Sequence, residues 1–146
     1  MGLMASLLAG WLLLQAAPIP LTQIGLQITA PCDGQTRDQW VLVTQLSHVV
    51  SVRVPVGLTH GVYPMDVSVT VFRVDAANKG FVLLNFGFDR YGPGTVDQIG
   101  KMDYHAPYVP VVKPGDSLVL QTYCQEWDPV ASADMIAHAI ITMGTP

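Results

Sequence analysis

No Lys, Arg, Asp, Glu or His precedes Asp33, and residues 2–14 (GLMASLLAGWLLL) are almost wholly apolar. Apolar surface left in water costs roughly 25 cal/mol per Å², so such a segment needs a cover. The leading reading is a helix that docks in an apolar groove of a neighbouring subunit or lies on a membrane beneath a protein shell. Leu, Ala and Met favour the helix, and Pro18 with Pro20 stops it. The stretch PIPLTQIGLQITAP then continues as an extended arm. Leu3, Leu7, Leu8, Trp11, Leu12, Leu13, Leu14, Ile19, Leu21 and Ile24 are its candidate assembly contacts.

Three other covers stay open. Residues 1–17 have the apolar stretch of a signal peptide ending at Ala16 and Ala17, but no basic n-region, and Pro18 follows the cleavage point. As a span, Gly2 to Ala17 would reach about 24 Å as a helix, short of a bilayer's ~30 Å. The opening MGLMAS also fits the myristoylation pattern through Gly2 and Ser6.

Charge is scarce beyond the arm as well. Charged residues make up 12% of the chain, with a single glutamate, Glu126, where a typical domain has about 25%. That deficit points to surface hidden by other subunits. The basic residues are scattered singly and the net charge is −4, which argues against direct nucleic-acid binding, since phosphate neutralisation needs clustered cations. At 146 residues the chain suits one domain with an appendage: an arm over 1–32 and a β-sandwich over 33–146.

Few Glu and Lys, with 11 Pro and 13 Gly, favour an all-β domain. Short β-rich runs cover 40–46, 49–56, 108–112, 117–124 and 134–143, and Pro55 suggests a strand edge or end. Residues 65–88 form a hairpin around the turn DAANKG: Met65, Val67, Val69 and Val71 alternate with Asp66, Ser68 and Thr70, and Phe72 breaks the polar row. Gly87 suggests a bulge. Residues 89–106 and 125–133 read as loops. The last strand is apolar on nearly both faces, as at the centre of a trimer or a sandwich seam. With the arm strand near 22–30 this makes seven or eight strands. The expected fold is a jelly-roll-like β-sandwich.

The tract VVKPGDSLVLQTYC followed by ADMIAHAIITMG, with HGVYP at 60–64, resembles the closing strands and an inner-strand entry of the tumour-necrosis-factor and complement-C1q head family. It spans about 60 of the 146 residues. Viral spike and capsid-decorating proteins carry similar jelly rolls. The resemblance implies trimers packed through aromatic inner strands.

Chemistry is sparse. The four histidines have no ligand spacing, and His138 reads as a hydrogen-bonded core residue. Asp89, Asp97 and Asp103 read as turn and solvated aspartates rather than a calcium site. No catalytic set, metal or cofactor is expected. Cys32 and Cys124 are either a disulfide, in an oxidising compartment, or two buried thiols. Tyr91, Tyr104, His105, Tyr108 and Trp127 are candidate surface-loop contacts, at a subunit rim or a sugar platform. The expectation is a non-enzymatic virion subunit, a capsid, decoration or spike protein. Its partners are itself, as a trimer, neighbouring shell subunits and, through residues 1–17, a membrane. The alternative is a secreted or periplasmic binding module, carbohydrate or adhesive, with a cleaved leader.

Overall fold

The strands pair as a nested set, last with first. In the computed structural model, which describes residues 21–59, 64–91, 94–101, 110–127 and 133–145, the strands are β1 (Leu21–Pro31), β2 (Asp33–Leu42), β3 (Ser47–Thr59), β4 (Pro64–Val74), β5 (Gly80–Tyr91), β6 (Gly94–Lys101), β7 (Val111–Val112), β8 (Ser117–Glu126) and β9 (Asp134–Gly144). β4 pairs with β5, β3 with β6, β2 with β8 and β1 with β9, all antiparallel. That is one long hairpin rolled on itself. Rolling it gives one sheet in the order β1-β9-β3-β6, with β7 on β3, and a second in the order β2-β8-β4-β5. This is the strand order of a jelly roll, and the fold is an all-β sandwich of that kind.

Period-two alternation builds the core between the sheets. Val52, Val54, Val56 and Leu58 of β3 and Met135, Ala137, Ala139 and Ile141 of β9 face Val67, Val69 and Val71 of β4 and Leu118 and Leu120 of β8; all are buried. Leu26, Ile28 and Ala30 of β1 join them. The residues grouped with the arm for lack of charge therefore divide. Residues 21–31 form an edge strand of the first sheet, while the helix expected ahead of Pro18 lies outside the described residues.

Where the chain crosses from β1 to β2, Cys32 is bonded to Cys124 of β8, 92 positions further along the chain, with Cα atoms 4.5 Å apart. Closing a loop of that length removes about 4 to 5 kcal/mol of unfolded-state entropy in the chain-entropy model.

Several sequence expectations change. The run 40–46 is the end of β2, which begins at Asp33 and stops at Leu42. Its polar first half is a strand because it sits at a sheet edge, where the Gln39 side chain accepts a hydrogen bond from Gln27 N–H of β1 at 2.7 Å. The loop expected over 89–106 contains β6, which takes its strand form from the free edge of β3. Pro55 lies inside an interior strand: the pairing with β9 reaches Arg53↔Ile140 and resumes at Val56↔Ala137, so the missing N–H falls in a gap of the ladder. Gly87 pairs regularly with Ser68, and the hairpin's irregularity comes at Val71/Phe72, where Val71 faces Leu84 and Phe72 faces Val82.

The last strand is one-sided. Met135, Ala137, Ala139, Ile141 and Met143 point into the core, while Ile136 remains 39% exposed on the outer surface. His138 shares that outer face, half-buried beside Gly25, where an added Cβ would sit 3.1 Å from its Nε2. It is no core histidine.

Candidate assembly surface

Two surfaces stand out. The first is a groove at the end of the sandwich where β1 begins and β2 and β9 finish. Inward-facing Thr22 and Ile24 of β1, Leu42, the connecting residues Val43, Thr44 and Gln45, Ser47 at the start of β3 and Met143 of β9 line a cavity of about 270 Å³. The connection is pinned from behind. Val43 N–H donates to Asp116 O at 2.8 Å, and Gly115 N–H donates to Val43 O at 3.3 Å. The buried Asp116 carboxylate closes the KPGD turn by accepting from Lys113 N–H at 3.0 Å. Leu46, within the connection, is 54% exposed.

The second surface is the outer face of the sheet β2-β8-β4-β5. Register places Trp40, Val119, Phe72 and Val82 in one row across all four strands. Trp40 is 53% and Val82 66% exposed, while Val119 between its neighbours is fully buried. Toward the groove, the next row is Leu42, Ser117, Val74 and Gly80; an added Cβ on Gly80 would touch the Phe72 ring at 3.8 Å. On the other side come Asp38, Gln121, Thr70 and Asn85, with the Thr70 hydroxyl donating to Asn85 Oδ1 at 3.0 Å, and then Thr36, Tyr123, Ser68 and Gly87. An apolar stripe thus crosses a hydrogen-bonding face whose one charge in these four rows is Asp38.

Charges on the described surface are largely engaged. The Arg37 guanidinium holds both Asp33 carboxylate oxygens at 2.8 Å. Those hydrogen bonds hold the Asp33 carboxyl down to about 2 and push the Arg37 guanidinium upward. Arg73 lies over the Phe81 ring at 4.3 Å and donates to Val111 O at 2.6 Å, bridging the two sheets, while Lys79 covers the same ring at 5.3 Å. Among the described residues no three His, Cys, Asp or Glu converge as metal ligands. Asp89 and Asp97 belong to different sheets.

Of the residues singled out in the sequence, Ile24 lines the groove and Leu21 begins the same strand on its outer side, 58% exposed beside Gly144. Leu3, Leu7, Leu8, Trp11, Leu12, Leu13, Leu14 and Ile19 lie outside the described residues, as do Tyr104, His105 and Tyr108. Tyr91 ends β5 opposite Pro64, and Trp127, just past β8, is 72% exposed. Cys32 and Cys124 form the disulfide. Sequence reasoning missed Trp40, Leu42 and Val82 as surface groups. Phe72 alone carried a signal, since it interrupts the polar row of its strand.

No protein-family model matches the chain, and no curated protein matches it. Solved structures do. A CocE/NonD family hydrolase from Staphylococcus aureus aligns with a TM-score of 0.54 at 9% identity over 87% of this chain, which spans only 34% of the hydrolase. A structure of Desmodium yellow mottle tymovirus aligns at 0.47 and 13% identity, over 90% of each chain. The CBM22-1 xylan-binding domain of Paenibacillus barcinonensis Xyn10C aligns at 0.46 and 21%, over 84% of this chain and 73% of the domain. At such identities a likeness speaks to the fold alone, and the strand order already defines it.

Proposed function

We propose that this chain is a non-enzymatic structural subunit of a larger symmetric assembly, a trimer-forming capsid, decoration or spike component of a virion. Jelly rolls serve many roles, so the reading rests on surfaces rather than on fold. The observation that carries it is the groove at the end of the sandwich where the uncharged segment joins β1, with Ile24, Leu42, Val43 and Met143 as the apolar half of its lining and Thr22, Thr44, Gln45 and Ser47 as the polar half. A segment that needs an apolar cover finds one in the apolar half of such a groove on another copy, while the groove's hydroxyls and amide stay at its rim or meet the segment's backbone. A chain with 12% charged residues has correspondingly little surface adapted to solvent.

Sizing the full-length protein by light scattering in plain buffer and in mild detergent tests this. Assembly in buffer supports the reading, together with a folded variant lacking residues 2–20 that no longer assembles. A full-length single subunit in plain buffer overturns it.

The disulfide favours a second reading, because such bonds persist in secreted proteins as well as on virion surfaces. In that reading the chain is a secreted or periplasmic carbohydrate-binding or adhesive module. Its mature form would start near Pro18, which intact-mass measurement reads directly.

A further inference from the structure

The disulfide shares its burial with a carboxylate. Cys32 is 9% and Cys124 2% exposed, and Glu126 and Ala133 beside them are buried as well. Cys124 and Glu126 lie two positions apart on β8 with both side chains turned inward, which spaces them about 6.8 Å along the strand. Three backbone groups keep the carboxylate there. Ala133 N–H donates to Glu126 Oε2 at 2.9 Å, Ala133 O accepts from Cys32 N–H at 2.8 Å, and Cys32 O accepts from Glu126 N–H at 3.3 Å. The other carboxylate oxygen, Oε1, is buried and meets no donor among the described residues. Arg37 reaches the same turn, donating to Pro31 O at 3.4 Å, but its charge is held by Asp33.

We propose that Glu126 guards the Cys32–Cys124 bond against thiolates, so that the bond, once closed, stays closed in the folded protein even where thiols abound. A disulfide opens when a thiolate attacks one of its sulfur atoms. With dithiothreitol the first thiolate joins one cysteine in a mixed disulfide and expels the other cysteine as thiolate. The second sulfur of the reagent then attacks the mixed bond, frees the remaining cysteine and closes on itself. Two electrons pass to the protein, and the two protons of the reagent end on Cys32 and Cys124. Both attacks bring negative charge to buried sulfur. An unneutralised carboxylate about 6.8 Å away opposes that charge, and at an effective dielectric of about 20 it slows the attack roughly tenfold or more.

The bond is then a one-way step of maturation. It closes by the reverse exchange, in which an oxidising disulfide takes two electrons from Cys32 and Cys124 while the chain is open enough to admit it. Folding afterwards sets Glu126 beside the finished bond and draws Ala133 against it. Cellular thiols such as glutathione carry further negative charge and are turned away more strongly.

Reduction of the folded, full-length protein, followed by thiol trapping and intact mass, tests the guard. Glu126→Gln removes the charge and keeps an acceptor oxygen for Ala133. It should speed opening by dithiothreitol about tenfold. Opening by an uncharged phosphine, which gives the bond two electrons and takes its oxygen from water, should stay near the wild-type rate. Gly115→Ala, a strained substitution ahead of the far end of β8, should change neither rate. Should Glu126→Gln fail to fold, the wild type answers alone. Cationic cysteamine should outpace anionic mercaptoacetate about tenfold on the folded protein, relative to their ratio on the chain unfolded in urea. Equal corrected rates overturn the guard, as does a Glu126→Gln protein that opens no faster than wild type. Acceleration of Glu126→Gln by both reductants alike, or of Gly115→Ala to the same extent, shows a loosened fold in place of a repelling charge and overturns it too. None of these outcomes bears on the reading of the chain as an assembly subunit.

Discussion

The Glu126 carboxylate accepts a hydrogen bond from the Ala133 N–H at 2.9 Å, and both residues are buried. The same junction is closed twice more: Cys32 N–H donates to Ala133 O at 2.8 Å, and Glu126 N–H donates to Cys32 O at 3.3 Å. The one glutamate of the chain thus fastens the connection between β8 and β9 to the disulfide.

Glu126→Ala strands the Ala133 donor inside the protein. It should cost about 1 to 3 kcal/mol, the range for a buried donor left without a partner. Glu126→Gln keeps an acceptor oxygen in place and should cost less. Urea unfolding of the two variants beside wild type measures the difference.

Reduction, or the pair Cys32→Ala and Cys124→Ala, should lower stability by about 2 to 5 kcal/mol. The effect reads as a shifted denaturation midpoint. Equal midpoints with and without reductant would show that the bond contributes nothing.

Asp33 should titrate near 2, because Arg37 binds its charged form. A carboxyl whose folded value lies below its unfolded one supports the fold above the unfolded value, and loses that support as pH falls. Here the window runs from about 3.8 down to about 2. Carboxyl NMR titration should find the low value in wild type and a return toward 3.8 in Arg37→Ala.

Gly115 sits at φ 97° with nothing within 4 Å of an added Cβ. Gly115→Ala therefore isolates backbone strain from steric clash. It should cost about 1 to 2 kcal/mol, measurable as a drop in melting temperature.

Thr22 is an exposed edge residue whose side chain faces the groove. Thr22→Lys should leave the melting temperature nearly unchanged, as surface substitutions usually do. It should nevertheless reduce assembly in light scattering, because an ammonium at the groove must lose water when an apolar segment docks. Undiminished assembly would remove the groove from the interface.

Alternation along Val52–Val56 and Met65–Val71 was enough to define an all-β sandwich, because a strand with one buried face writes its inside and outside two residues apart; Asp134–Met143, apolar at nearly every position, hid its single buried face until the pairing set it. The 75–80 turn between β4 and β5 was legible for a similar local reason: Asp75, Asn78 at φ 65° and Gly80 supply the chemistry the reversal needs. Two of the four edge strands, β2 and β6, carry no such signature. The polar run Asp33–Gln39 and the glycine-flanked Gly94–Lys101 are strands because β8 and β3 offer them backbone partners, and a hydrogen-bond ladder is indifferent to side-chain composition. Pairing across the whole chain length likewise placed Leu21–Pro31 against β9 and brought Cys32 to Cys124. The row Trp40, Val119, Phe72, Val82 was beyond reach for the same reason. Its members come from four strands, and only the registers between those strands set them side by side.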